Sequence, residues 1–222
     1  MPRTADISLP EIPDRFRPVE TTSLSEHCLL TPKDRCYYLW EYAPHRRYDF
    51  SPTNQLIRNL KIRPSVAACS SRRASYKWQA IAHAAAALRH VIPRAFVEAR
   101  ATFVPIPGSK AIGDPEHDDR MARVLEVAFE GWSADLRRML LFSHSTSADH
   151  ARAERLTCEA LLALTRCVES RTPPRRVIVI VDDVLNSGKH YRIARELLSR
   201  RYPAASLCGA FLARCVRSVT GA

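Results

Sequence analysis

The chain has 222 residues, a formal charge of +11 and 46% hydrophobic content, enough to bury a sizeable core in one domain and a poor fit to two independent folds. No apolar run approaches the roughly 18 residues of a membrane helix, and no charged-then-apolar leader follows Met1. Seven scattered cysteines, an odd number, argue against a disulfide framework and for a reducing, cytoplasmic setting.

The first twenty residues, MPRTADISLPEIPDRFRPVE, alternate proline and charge and read as an arm to be ordered by a partner or by the core. We place an extension over residues 1–50 and the main domain over residues 51–222. His27, Cys28 and Cys36 offer at most three zinc ligands without a Cys-x-x-Cys pair, so the cysteines read as core or surface thiols. The cations are nearly all arginine, the lysines being Lys33, Lys61, Lys77, Lys110 and Lys189. Arginine pairs at 46/47, 72/73, 137/138, 175/176 and 200/201 could track phosphates, with the Tyr- and Arg-rich segment Arg35 to Tyr48 as the place for nucleic acid. Their dispersal along the chain favours solvated helix faces or long-range steering of an anion instead.

From Tyr76 to Ile92 an Ala-rich stretch carries Trp78, Ile81, Ala85, Leu88 and Ile92 on one stripe, a helix expected to pack on a sheet. Phe103 to Ile106 reads as a short strand, Pro107 to Pro115 as a loop rich in turn formers, and Met121, Val124, Leu125, Ala128 and Phe129 as one helix face. Met139 to Phe142 suggests another core strand. Leu156, Ala160, Leu164, Cys167 and Val168 mark a helix, and Leu207 to Ala213 a last strand. Strand and helix thus alternate from Phe103 onward, which predicts an α/β fold with a parallel sheet and ligands at the carboxyl ends of its strands.

The most informative stretch is RRVIVIVDDVLNSGKHYRIARELL, Arg175 to Leu198. Val177 to Val181 is a β-branched run of the kind buried on both faces of a parallel sheet. Asp182 and Asp183 end it. Asn186, Ser187 and Gly188 then form a turn, and Ile193, Ala194, Leu197 and Leu198 form one helix face. A helix N-terminus at that turn offers orphan backbone N–H groups and a positive dipole end to an anion. Beside a phosphate, two carboxylates repel the ligand unless they meet hydroxyls or a divalent cation, which suits ribose O2 and O3 or Mg²⁺. A Walker A loop fails, because Asp183 stands where its first glycine belongs and His190 where its Ser/Thr belongs. A phospho-acceptor aspartate and a purely structural acidic helix cap remain as alternatives.

VIVIVDDVLNSGKHY resembles the phosphoribosyl-diphosphate (PRPP) signature of type I phosphoribosyltransferases through Asp182, Asp183, Val184, Ser187 and Gly188. The resemblance implies that family's parallel sheet flanked by helices. It implies that Asp182 and Asp183 bind the ribose hydroxyls and the Mg²⁺ that travels with PRPP, and that Asn186, Ser187, Gly188, Lys189 and His190 wrap the 5′-phosphate. Asn186 and His190 replace threonines of the usual pattern, and Lys189 adds a charge. The segment Ala101 to Phe129 resembles the Val-Pro-x-Pro-x-Ser stretch of the competence-protein F-like branch, which would put pyrophosphate on Ser109 and Lys110 near Gly108, with Arg120 in a mobile cover. Asn54, Leu56, Ile57 and Lys61 resemble the Asn-x-Leu-Ile-x-x-x-Lys stretch of the same branch; its four zinc cysteines are missing. The implied activity is transfer of a phosphoribosyl group between pyrophosphate and a base or amine. The alternative is a non-catalytic PRPP- or nucleotide-sensing or assembly subunit, as a homo-oligomer or within a complex.

Overall fold

The computed structural model describes residues 8–143, 157–168 and 172–216. Its centre is a six-stranded sheet of order β1-β2-β8-β7-β3-β4, formed by β1 (Arg17–Pro18), β2 (Cys36–Tyr42), β3 (Ala101–Pro105), β4 (Asp135–Leu136), β7 (Val177–Leu185) and β8 (Ser206–Cys215). All neighbours run parallel except the edge strand β1, which is antiparallel to β2. The protein is therefore α/β with a mostly parallel sheet. The α-helices are α1 (Pro52–Leu60), α2 (Pro64–Ala68), α3 (Ser71–Val91), α4 (Arg94–Ala99), α5 (Arg120–Ala128), α6 (Cys158–Leu164) and α7 (Lys189–Arg201). Among the described residues no helix is long and apolar enough to cross a membrane.

The alternation of β7 divides the core. Val179 and Val181 join Leu56, Leu60, Ile81, Phe103 and Leu125 on one face, while Ile178 and Ile180 join Leu30, Val104, Tyr191, Leu198 and Phe211 on the other. A strand buried on both faces needs apolar residues at every position, which is why this run lacks the in-out pattern of an exposed sheet.

Within residues 1–50, β2 lies inside the sheet against β8, and Leu9, Ile12 and Phe16 pack on the core. Three expectations are corrected. Of the aromatic residues of Arg35 to Tyr48, Tyr38 and Trp40 are buried in β2 and offer no stacking platform, Tyr37 and Tyr42 are half-buried, and Tyr48 is 37% exposed. Met139 to Phe142 is not a strand of the central sheet. Its residues Leu140–Phe142 form β5, paired antiparallel with β6 (Thr165–Cys167) in a separate ribbon, while β4 occupies the edge beside β3. The helix expected over 156–168 ends at Leu164, with Thr165 to Cys167 extended as β6; Leu156 lies outside the described residues.

Of the stripe expected on α3, Ile81, Ala85, Leu88 and Ile92 are buried and Trp78 is not. Lys77, Ala80, Ile81, Ala84, Ala85, Ala87 and Leu88 are buried, and Trp78 is 51% exposed. Small alanines let α3 sit close to α5, and a bulky indole is displaced from such a seam. Helix α1 begins at Ser51, whose hydroxyl accepts from the Asn54 N–H at 3.0 Å. The Asn54 side chain also bonds the Ala43 N–H and carbonyl, at 3.2 and 3.0 Å. This anchors α1 to the end of β2 and sets where Lys61, the next residue after the helix, emerges.

Candidate functional site

β3 and β7 are adjacent and parallel, with Pro105 opposite Val181, and the Ile106 N–H donates to the Val181 carbonyl at 2.8 Å. Their carboxyl ends share one edge. The loop after β3 and the acidic pair consequently meet in a cleft lined by Pro107, Gly108, His117, Asp118, Arg120 and Asp182, among others.

The strand does not stop at the acids, as the sequence suggested, but continues to Leu185. Successive side chains on a strand face opposite ways, so the two carboxylates part company. Asp183 points to the face of α1, α3 and α5, and Asp182 to the face of α7. Asp183 is 3% exposed and receives Arg120 Nε at 2.7 Å, Arg120 Nη2 at 2.6 Å and Lys61 Nζ at 3.0 Å. Arg120 also meets Asp118 at 2.9 Å, and Asp118 meets the Lys77 ammonium at 2.8 Å. Lys77 further donates to the carbonyls of Leu60 and Ile62, at 3.1 and 2.6 Å. The result is a chain of alternating charge, Lys61, Asp183, Arg120, Asp118 and Lys77, with one cation in excess.

Burial by itself pushes the Asp183 carboxyl up, but the Arg120 and Lys61 charges outweigh it and hold the group at about 2. Burial likewise lowers Lys77, with Asp118 opposing, and burial disfavours the Arg120 guanidinium while Asp183 and Asp118 more than restore it. A carboxyl depressed from 3.8 to about 2 on folding stabilises the protein fully above pH 4, and that stabilisation is lost as pH falls toward 2. The difference in unfolding free energy between the wild type and Asp183→Asn is therefore expected to shrink by about 2 kcal/mol between pH 5 and pH 2. Urea titrations at stepped pH measure it, and a pH-independent difference would contradict the ion-pair assignment.

Asp182 is 8% exposed and lines the cleft. Its Oδ1 accepts from the Asp183 N–H at 2.8 Å, and its Oδ2 lies 3.8 Å from His190 Nδ1. With Asp183 committed to two cations, Asp182 is the carboxylate of the pair left on the cleft side, and it is the one that would hold a Mg²⁺ ion. Among the described residues no group of three or more His, Cys, Asp and Glu side chains is arranged to hold a metal.

The helix-start loop is shaped by the N-terminal segment. Gly188 takes a φ of +87° at the N-cap of α7, and a Cβ there would lie 2.7 Å from Leu30 Cδ2. His27, fully buried, donates from Nδ1 to the Asn186 carbonyl, and the Leu29 N–H donates to the Ser187 carbonyl at 3.0 Å. Two carbonyls of the loop are thus tied down by the 27–30 turn, where the loop enters the first turn of α7. Asn186 and His190 are exposed, Ser187 and Lys189 half-buried. His190 shares a small second cavity with Ile106 and Pro107, so the two loops are neighbours.

The other loop departs from expectation. Gly108 lines the cleft, but the close approach it permits is to protein: a Cβ would stand 2.8 Å from the Asp118 carbonyl oxygen. Ser109 is exposed, and neither it nor Lys110 lines the cleft; the Lys110 carbonyl instead accepts from His117 Nδ1 at 2.9 Å. Lys77 and Asp118 were missed as members of the charge chain. A lysine on the buried face of an Ala-rich helix was the available signal. Lys61 was noticed only through resemblance.

Several arginines also find structural work. Arg175 donates to the carbonyls of Val97, Ala101 and Ser133, and Arg137 pairs with Asp135 at 2.7 Å. The fold and the site define an α/β protein with a mostly parallel sheet and a charged cleft at its carboxyl edge. A scan against protein-family models and a search of curated proteins returned no match.

Proposed function

We propose that the cleft binds a phosphoribosyl ligand, PRPP or a nucleotide with Mg²⁺, and that the protein is a phosphoribosyltransferase-like enzyme. The observation that supports this reading is the convergence, at the shared edge of β3 and β7, of Asp182, of Arg120 at the start of α5, and of the Ser-Gly start of α7, whose His190 shares a cavity with Ile106 and Pro107. In this reading Asp182 meets a ribose hydroxyl and the Mg²⁺ on the diphosphate. The amides of residues 187–190 hold the 5′-phosphate. Asp183 serves as the anchor that holds Arg120 and Lys61 in place, and Arg120 supplies positive charge toward the pyrophosphate. The chemistry is displacement at ribose C1 through an oxocarbenium-like transition state, favoured by alignment and charge rather than by a covalent intermediate.

The cleft encloses only about 50 Å³, so in this reading it opens further around a phosphoribosyl ligand. Ser109 and Lys110 would reach pyrophosphate only after such a movement. A second reading, binding without turnover, is favoured by one observation: Asp183 is saturated by Arg120 and Lys61.

Asp182→Asn is the direct test, because it removes a charge on the cleft side and leaves the Asp183 pairs intact. We expect PRPP affinity with Mg²⁺, measured by calorimetry, to fall at least about tenfold, with stability changed by less than about 1 kcal/mol. Pyrophosphate release from labelled PRPP over a panel of bases separates transfer from sensing. Absence of PRPP and nucleotide binding in the wild type would reject both readings.

A further inference from the structure

A second concavity, far roomier than the cleft, is lined by Tyr48, Arg58, Lys61, Arg72, Arg73 and Tyr76, among others, and measures about 790 Å³. Arg58 and Lys61 stand three residues apart at the end of α1 and share a face. Arg72 and Arg73 occupy the first turn of α3, which contains no acidic residue. Cations at the positive end of a helix are disfavoured both by the macrodipole and by each other. Among the described residues Arg58, Arg72 and Arg73 make no ion pair with a carboxylate, and Asp49, which lines the groove, is engaged by Arg47 at 3.5 Å. Three guanidinium groups and one acid, Asp49, line the void, and the net positive field there is one that a polyanion relieves.

The rings beside them are held in place. The Asn59 amide donates to the Tyr48 hydroxyl at 3.0 Å, and Arg72 Nε donates to the Tyr76 hydroxyl at 2.8 Å. The Arg72 guanidinium also lies over the Tyr76 ring, 5.7 Å from its centroid, so that ring already carries one cation at the groove. Tyr48 is 37% exposed. Fixed aromatic faces flanked by guanidinium forks suit a planar heterocycle carrying several phosphates.

We propose that this groove is a nucleoside polyphosphate site, separate from the Asp182 cleft. The heterocycle packs on Tyr48 and Tyr76, and the phosphates take Arg58, Arg72 and Arg73. Lys61 joins the two sites, since it lines the groove and also pairs with Asp183 at 3.0 Å. An anion in the groove competes with Asp183 for that ammonium. The proposal stands whether or not PRPP occupies the cleft.

The experiment titrates ATP, inorganic tripolyphosphate and single-stranded oligonucleotides of increasing length into the full chain and into Arg72→Ala/Arg73→Ala. A Tyr76→Ala variant is run in parallel, and thermal unfolding is checked for each. The two arginines are exposed, so the double variant should fold. We expect ATP to bind the wild type more tightly than tripolyphosphate, and to lose at least about tenfold in affinity in the double variant. Tyr76→Ala should erase the advantage of ATP over tripolyphosphate. Failure of ATP to bind, or affinity unchanged by the double substitution, overturns the site. Equal binding of tripolyphosphate and ATP overturns the aromatic part. Affinity that climbs with oligonucleotide length replaces it with a strand-binding surface.

Discussion

Replacing Asp183 with alanine is expected to lower the unfolding free energy by about 3–5 kcal/mol, the range for removing one partner of a buried ion pair. The carboxylate is 3% exposed and is the shared acceptor of Arg120 and Lys61. Without it Arg120, with 19% of its side chain exposed, keeps Asp118 as its remaining acidic partner, which Lys77 also claims. Lys61 is different, at 41% exposed, and can turn to solvent. Most of the loss therefore comes from Arg120. A companion variant, Asp183→Leu with Arg120→Met, removes both charges and should recover a large part of the stability, because a well-packed apolar pair avoids the desolvation that the ions suffer. Urea unfolding of the three proteins decides the matter. If the alanine variant loses less than about 1 kcal/mol, the pairs behave as surface bridges and the charge chain is not a structural unit.

The second large effect is expected at Gly188. Alanine there must adopt a φ of +87°, which costs about 1–2 kcal/mol for a residue with a Cβ. Its methyl group also meets Leu30 Cδ2 at 2.7 Å, and overpacking of that kind costs about 1–3 kcal/mol. The combined loss, about 2–5 kcal/mol, should be partly relieved by Leu30→Ala in the same chain. Overpacking is relieved by a smaller neighbour, whereas the backbone conformation is not, so a double-mutant cycle separates the two contributions. On the proposed function, PRPP affinity should fall more steeply than stability, since the loop has to rotate its amides to escape the clash. A Gly188→Ala variant with wild-type stability and no coupling to Leu30 would show that the 27–30 turn does not brace this loop.

The bracing also explains why the extension and the main domain are inseparable. Leu30 belongs to the core cluster with Ile178, Ile180 and Tyr191, and His27 holds the Asn186 carbonyl. A chain beginning at residue 51 would lack β2, the neighbour of β8, and would expose the long edge of a parallel sheet. The sequence pattern of 1–50, broken by prolines and charges, concealed a strand whose hydrophobic residues run in a short burst from Cys36 to Trp40.

Read by itself, the sequence determined the elements whose physics is local. The β-branched run Val177 to Val181 could only be a strand buried on both faces, and Met121, Val124, Leu125, Ala128 and Phe129 could only cover one side of a helix. Gly188 at the start of α7 was legible for the same reason, because a turn into a helix favours the residue with the freest backbone. Tertiary structure decided the rest. The sequence could not show that β7 runs on through the acids and so sends Asp182 and Asp183 to opposite faces. Nor could it show that Asp183 is claimed by a lysine from the end of α1 and an arginine from the start of α5. Periodicity records which side of its own element a residue occupies. Ion pairs depend on where separate elements converge, and that convergence is set by packing the whole sheet.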